Sequence, residues 1–321
     1  MSAKPVVLIP RKLAPAVLDR ANATYDVIVN EDDHVFSREE LVAACQTVDA
    51  VLPCHSEHFS ADVIQALPAR LKIIANHSVG VDHVDLEAAK ARGIVVTNTP
   101  DVLSDATAEI AILCMLGAAR RGSEGDRMVR EGRWNFWSPA FMVGRQVTGR
   151  RFGVVGMGRV GQVTAERARG FGMEIHYHNR TRLTPEQEKG AIFHKSLESL
   201  LAVSDVLSLH CPTTPDTIGI INERTLAMLP ERAILVNTAR GALVDETALV
   251  NALKSGQLFA AGLDVFRTEP GGNPELSVLD NVFMLPHIGS ATFETRDAMG
   301  FRALDNLDAF FGGSAPLDRL V

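Results

Sequence analysis

The sequence predicts an α/β protein made of two doubly wound parallel-sheet, Rossmann-like domains with a cleft between them. Three observations carry that prediction. Short β-rich runs alternate with helical segments, the pattern of parallel βαβ units. A long helix and a charged, glycine-rich stretch interrupt the alternation, which then starts afresh near Arg151. The second series opens on RFGVVGMGRVGQVTAERARGFG, residues 151–172, which reads as strand, glycine turn and helix. A chain of 321 residues is long enough to bury two separate cores.

Taken in order, residues 6–9 read as a first strand, 15–21 as a helix and 25–29 as a second strand. Ser37 followed three residues later by Glu40 has the form of a capping box, opening a helix through Ala44. Residues 48–52 are the next strand, and its exit loop, PCHSEHFS, is unusually polar and carries histidines. Residues 71–75 form a strand ending in NHSVGVDHVD, and 94–97 close the first series. One long helix is predicted over 105–120, with a broad apolar stripe of Ile110, Leu113, Cys114 and Leu116. The stretch after it, RGSEGDRMVREGRWNFWSPAFMVGRQVTG, carries both tryptophans and has too little apolar content for a core of its own. It reads as an extended arm that wraps another surface, such as a second subunit, with an ordinary surface excursion as the alternative. Strands are then predicted at 152–155, 174–177, 192–194, 206–210, 233–237, 260–264 and 282–285, and a last helix at 292–311 has no strand to feed. That helix is expected to pack back on the first domain, making it discontinuous.

Composition narrows the function classes. Hydrophobic residues make up 46% and charged residues 22%, the balance of a soluble globular protein. With 32 basic and 39 acidic residues the net charge is −7, which argues against broad nucleic-acid or anionic-membrane binding. Cys45, Cys54, Cys114 and Cys211 form no C-x-x-C pair, which suits a reducing compartment, and the N-terminus has no apolar segment of signal length. A cytoplasmic protein is expected. The pairs His55/His58 and His176/His178 have no cysteines or acids at ligand spacing, so no metal site is predicted.

The glycine turn points to a dinucleotide. Gly156 makes the tight turn, Gly158 lets the backbone approach a pyrophosphate, and Gly161 lets helix and strand pack closely, with the pyrophosphate on the helix N-terminus. Ligands of such sheets bind at the carboxyl ends of the strands. There, NTARG places Arg240, DVFRTEP places Glu269 and PHIGS places His287 at three successive strand ends. Each alone reads as a structural residue; together they form a cation, an acid and an imidazole where a cofactor ring would lie.

At this point the chain resembles the D-2-hydroxyacid dehydrogenase family, in its glyoxylate/hydroxypyruvate reductase branch. NHSVGVDHVD, TPDVLSDATAE, VVGMGRVGQ, VNTARGALVDE, AGLDVFRTEP and LPHIGSAT resemble that family's motifs in order across essentially the whole chain. The resemblance implies reduction of small 2-oxo acids (glyoxylate, hydroxypyruvate) to D-2-hydroxy acids, with Arg240, Glu269 and His287 as the catalytic residues. It implies that Val79 and Gly80 offer backbone amides to the substrate carboxylate and that Ser290 lines the site. It further implies a substrate domain of residues 1–99 plus 288–321, a dinucleotide-binding domain of 100–287 with a dimerisation helix and arm at about 105–148, and a homodimer. Besides Arg240 and His287, the cofactor residues it implies are Thr107, Gly156, Met157, Gly158, Arg159, Val160, Gly161, Cys211, Pro212, Thr217, Thr238, Ala239, Asp264 and Gly289. Cys54 and His55 stand where many relatives carry apolar residues, so the preferred substrate side chain stays open: His55 either contacts a polar substrate or faces solvent.

Enzymes of this type that use NAD place an acid about 20 residues beyond the glycine turn, on the ribose hydroxyls. Here that position holds Asn179, followed by Arg180, Thr181 and Arg182. Two guanidinium groups and a hydroxyl suit a 2′-phosphate, so NADPH is the expected cofactor, with NADH the weaker alternative. A solvated basic turn is the other reading. Two further functions stay in view, a D-3-phosphoglycerate-type dehydrogenase and a dinucleotide-sensing, corepressor-like scaffold.

Overall fold

The computed structural model describes residues 4–321. The chain divides into two compact units, Met1–Leu103 with Ser290–Val321, and Ser104–Gly289.

In the first unit, β1 (Val6–Ile9), β2 (Asp26–Val29), β3 (Ala50–Val51), β4 (Ile73–Ala75) and β5 (Val95–Thr97) form an all-parallel sheet of order β2-β1-β3-β4-β5. Alternation along the strands sorts the core into two faces. Leu8, Val51, Ile74 and Val96 join one cluster; Val7, Ile9, Ala50, Ile73, Ala75 and Val95 join the other. The helix Phe293–Phe311 covers the second face with Ala303, Leu304 and Leu307, and a side chain at its Gly300 would collide with Val17. Ser37 and Glu40 form the reciprocal capping box that opens the helix Arg38–Ala44. The strand expected over 48–52 is shorter, Ala50–Val51, although the flanking amides of Asp49 and Leu52 still bond to the carbonyls of Val6 and Leu8.

The second unit holds β6 (Arg151–Val155), β7 (Glu174–His178), β8 (Ile192–Phe193), β9 (Val206–Leu209), β10 (Ala233–Asn237), β11 (Leu258–Leu263) and β12 (Val282–Met284). All are parallel, in the order β12-β11-β10-β9-β6-β7-β8. The order reverses between β6 and β9, the topological switch point at which such sheets bind ligands. The strands are buried on both faces and so read as continuous apolar runs. Ser104–Ala119 is a helix that packs Ala111, Cys114, Met115 and Ala118 into this core, close enough that a side chain at Gly262 would overlap the Cys114 carbonyl.

The arm needs one correction. Its first part, Gly122–Arg130, is helical, which Gly122 and Gly125 hide from a propensity reading. No residue of that helix is buried; Arg127 pairs with Asp280 at 2.6 Å and Arg130 with Asp126 at 2.9 Å. Beyond it the chain is irregular, and Trp134, Phe136 and Trp137 are exposed, Trp137 by 73%.

Candidate active site

The glycine turn after β6 is built from backbone. Gly156 sits at φ +92°, a conformation that side-chain-bearing residues rarely adopt, and a Cβ there would lie 2.5 Å from the Cys211 amide nitrogen. The segment after β9, with Cys211 and Pro212, therefore lies directly against the turn. At Gly161 a Cβ would stand 2.5 Å from the Gly156 carbonyl, so the start of the helix Arg159–Arg169 can approach the strand only without a side chain. Gly158 differs, because a Cβ there would meet nothing within 4 Å. Its missing side chain opens space in front of a helix end that no side chain caps. Arg159 is exposed, Val160 half-buried and Met157 buried.

The next stretch, HNRTR, extends from the end of β7. Asn179 is committed to the glycine turn, its Oδ1 accepting the Met157 N–H at 2.6 Å. Arg180 and Thr181 are exposed, and Arg180 makes no ion pair among the described residues. Arg182 departs from the expectation of a phosphate ligand. It forks onto Glu188, with Nε to Oε1 at 2.7 Å and Nη2 to Oε2 at 3.1 Å, because that buried carboxylate needs a cation. Neither Glu188 nor the Tyr177 hydroxyl that joins it at 2.6 Å stands out in the sequence, since Tyr177, Arg182 and Glu188 lie in a strand, a loop and a short helix that share no one period.

On the other side of the switch point the site is built from side chains. After β10, Asn237 closes the NTARG turn by donating to the Arg240 carbonyl at 2.9 Å and accepting the Ala239 N–H at 3.1 Å. Gly241 follows, where any side chain would overlap the backbone of Phe266, so the turn bearing Arg240 lies against the loop after β11. In that loop Glu269 accepts the Phe266 N–H on Oε1 at 2.7 Å and meets His287 Nδ1 with Oε2 at 2.6 Å. His287 follows β12 at φ +55°, its N–H on the Asp264 carbonyl at 2.9 Å. A left-handed non-glycine residue at a strand mouth stores roughly 1–3 kcal/mol of strain, which the surrounding bonds must hold.

Two buried oxygens lie beside these loops without hydrogen-bond partners, Thr238 Oγ1 and Asp264 Oδ2. Asp264 Oδ1 accepts the Ile288 N–H at 2.8 Å, and burial pushes its carboxyl above the ordinary range. A Cβ at Gly289 would press on Asp264 and on Thr107, which is buried in the helix Ser104–Ala119. Thr217 lies in its own loop, donating to the Pro212 carbonyl and accepting the Thr214 N–H, both at 2.7 Å.

In the first unit, the loop after β4 has its carbonyls engaged. Asn98 donates to the Val79 carbonyl at 2.9 Å and Ser78 to that of Gly80 at 2.7 Å, while the amides of Val79 and Gly80 meet no partner among the described residues. His83 and Asn76 brace the loop from below at 2.8 Å. After β3, Cys54 is half-buried and His55 exposed. Burial pushes the Cys54 thiol up to about 12, and its N–H is held by the buried Glu57 carboxylate at 3.0 Å.

Residues 112–289 match the family described as D-isomer specific 2-hydroxyacid dehydrogenase, NAD binding domain. The chain is 47% identical to a glyoxylate reductase of Thermococcus onnurineus, covering 98% of this chain and 95% of that protein. It is 44% identical to a glycerate dehydrogenase of Hyphomicrobium methylovorum, over 97% of each. The chain belongs to the D-isomer-specific 2-hydroxyacid dehydrogenase family. Among solved structures, the NADPH-dependent glyoxylate/hydroxypyruvate reductase of Sinorhizobium meliloti in complex with NADP and malonate matches with a TM-score of 0.88 and 34% identity, covering 99% of this chain and 97% of that one. For a member of this dehydrogenase family, the features above fit a dinucleotide. The uncapped helix end behind Gly158 suits a pyrophosphate, and the unpartnered Thr238 and Asp264 oxygens suit a carboxamide donor.

Proposed function

We propose that the chain reduces small 2-oxo acids, glyoxylate and hydroxypyruvate, to D-2-hydroxy acids with NADPH in preference to NADH. The observation that carries this reading is the Glu269–His287 pair at 2.6 Å, on a loop that abuts the Arg240 turn. When bound, the nicotinamide supplies a hydride to the carbonyl carbon. His287 delivers a proton to the carbonyl oxygen from Nε2, so that the oxo acid, one hydride and one proton become the hydroxy acid. Glu269, on Nδ1, fixes the tautomer and orientation of the ring. Arg240 holds the carboxylate and polarises the carbonyl through its planar fork, and the Val79 and Gly80 amides bind the carboxylate.

The unit Ser104–Gly289 is the proposed dinucleotide-binding domain, and Met1–Leu103 with Ser290–Val321 the substrate domain, with Ser290, Cys54 and His55 at the substrate. Arg180, exposed and without an ion pair among the described residues, supports NADPH, as does the absence of an acid at Asn179. The relatives' names support glyoxylate and, in the reverse sense, glycerate as substrates. A second copy is the proposed cover for the exposed Trp134, Phe136 and Trp137, giving a homodimer. A cytoplasmic location is consistent with four unpaired cysteines and with the finding that no described helix is long and apolar enough to cross a membrane.

Steady-state kinetics with NADPH and NADH against glyoxylate, hydroxypyruvate and phosphohydroxypyruvate test the reading. Turnover of the first two, with kcat/KM about tenfold or more higher for NADPH, is expected. Preference for phosphohydroxypyruvate, or cofactor binding without turnover, overturns it. Sedimentation velocity tests the dimer.

A further inference from the structure

The segment from the end of β7 to Lys189 closes into a ring. Tyr177 is fully buried in β7; its hydroxyl donates to Glu188 Oε1 at 2.6 Å and accepts the Leu183 N–H at 3.0 Å. Glu188 also receives the fork of Arg182, whose guanidinium carbon stands 5.7 Å from the centre of the Phe193 ring on β8. The Glu188 carbonyl accepts Arg169 Nη2 at 2.9 Å, and its neighbour Lys189 pairs with Glu166 at 2.9 Å, so the helix Arg159–Arg169 anchors the far end. The Glu188 side chain is 8% exposed against 63% for Arg182.

The arginine is thus the outer partner of an inner acid. Arg182 and the Tyr177 hydroxyl hold the Glu188 carboxyl below its ordinary range. A guanidinium whose charge is matched by a carboxylate at contact distance adds little net attraction for a second anion. Arg180, two residues earlier, is exposed and has no such partner among the described residues.

We propose that Arg182 is a positioning residue, which with Glu188 and Tyr177 sets the loop 179–183 and leaves Arg180 as the guanidinium that meets the 2′-phosphate. This rests on the NADPH reading above, and it changes what the second arginine of HNRTR does. Glu188, outside any contact with the dinucleotide, becomes a determinant of cofactor selectivity, because it cancels a charge that would otherwise add to the phosphate site.

The test is a set of dissociation constants for NADPH and NADH with wild type, Arg180→Ala, Glu188→Gln and the double variant Arg182→Ala with Glu188→Gln. Arg180→Ala is expected to weaken NADPH about tenfold and NADH less than about twofold. Removing the two charges together, in Arg182→Ala with Glu188→Gln, is expected to weaken both cofactors by the same factor, about threefold to tenfold, since the loop carrying Asn179 loses its strut while the net charge beside the phosphate is unchanged. The near-isosteric Glu188→Gln keeps the Arg182 charge while removing its counter-charge. Its ratio of NADH to NADPH dissociation constants should rise about threefold, a readout that a purely structural role would not move. Selective loss of NADPH in the double variant, or an unchanged ratio in Glu188→Gln, overturns the inference and leaves the phosphate site standing. An Arg180→Ala variant that loses both cofactors equally overturns the phosphate site itself.

Discussion

The two sides of the switch point in the seven-stranded sheet solve the same problem with different materials. Beside β6 the site is backbone: Gly156 at φ +92°, an uncapped helix end, and an Asn179 side chain that serves the turn. At β10 to β12 it is side chain: a carboxylate and an imidazole at 2.6 Å, with the arginine turn packed against their loop through Gly241. A backbone site is sensitive to shape and indifferent to pH, whereas a side-chain site is sensitive to both. The comparison predicts which substitutions abolish binding and which abolish chemistry.

The largest expected effect is on chemistry. His287→Ala should lower kcat by ~10²-fold to 10⁴-fold, the usual worth of a positioned general acid, while the dissociation constant for the dinucleotide stays within about twofold. Near-normal turnover in the folded variant would take the proton-donor role away from His287. Strong loss of dinucleotide affinity would blur the distinction between the two sides.

Gly156→Ala should do the opposite. The positive φ costs a side-chain-bearing residue roughly 1–3 kcal/mol, and the Cys211 backbone 2.5 Å from the new Cβ forces the turn to move. Dinucleotide affinity should fall about tenfold or more, with a lower melting temperature. Titration calorimetry showing unchanged affinity would mean that the turn does not carry the pyrophosphate.

These two sides were not equally legible in the sequence. Gly156, Gly158 and Gly161 could be read because each does a local job that only glycine does, and their spacing places the turn between strand and helix. Arg240, Glu269 and His287 could be read as a set because each ends a recognisable strand, although the contact between Glu269 and His287 depends on two loops folding toward each other. What could not be read was commitment. Arg182 looks like a phosphate ligand until Glu188 is seen beneath it, and Asn179 looks like a vacated acid site until its oxygen is seen on the Met157 amide. The helix Gly122–Arg130 was hidden in the same way, its weak intrinsic propensity offset by Arg127 reaching Asp280 far along the chain.

A middle-sized effect would sharpen the backbone side. Asn179→Asp with Arg180→Ala should reverse the cofactor preference by about tenfold, through KM for NADPH rather than through kcat. The aspartate can still accept the Met157 N–H while placing its charge where a 2′-phosphate is repelled and ribose hydroxyls are bound. If steady-state kinetics show kcat falling with both cofactors instead, the loop governs hydride geometry as well as affinity.

The smallest expected change is the one that tests whether the side-chain site works as a coupled pair. Glu269 places a carboxylate oxygen 2.6 Å from His287 Nδ1 and is itself held by the Phe266 amide, so Glu269→Gln can keep the shape of the loop while removing the charge. An opposite charge at this distance stabilises the imidazolium, and a neutral amide does so less. Reduction needs the protonated ring, so removing the carboxylate should displace the pH–rate profile of reduction toward lower pH. Oxidation of the hydroxy acid needs the neutral ring, and its rise with pH should move in the same direction by the same amount. Below the displaced limb, the rates of reduction should differ only through ring orientation. The two profiles, measured as kcat/KM from pH 5 to 9, therefore separate charge from geometry: a uniform loss at every pH, with no displacement, would mean that Glu269 orients the ring and that the pair carries no electrostatic coupling.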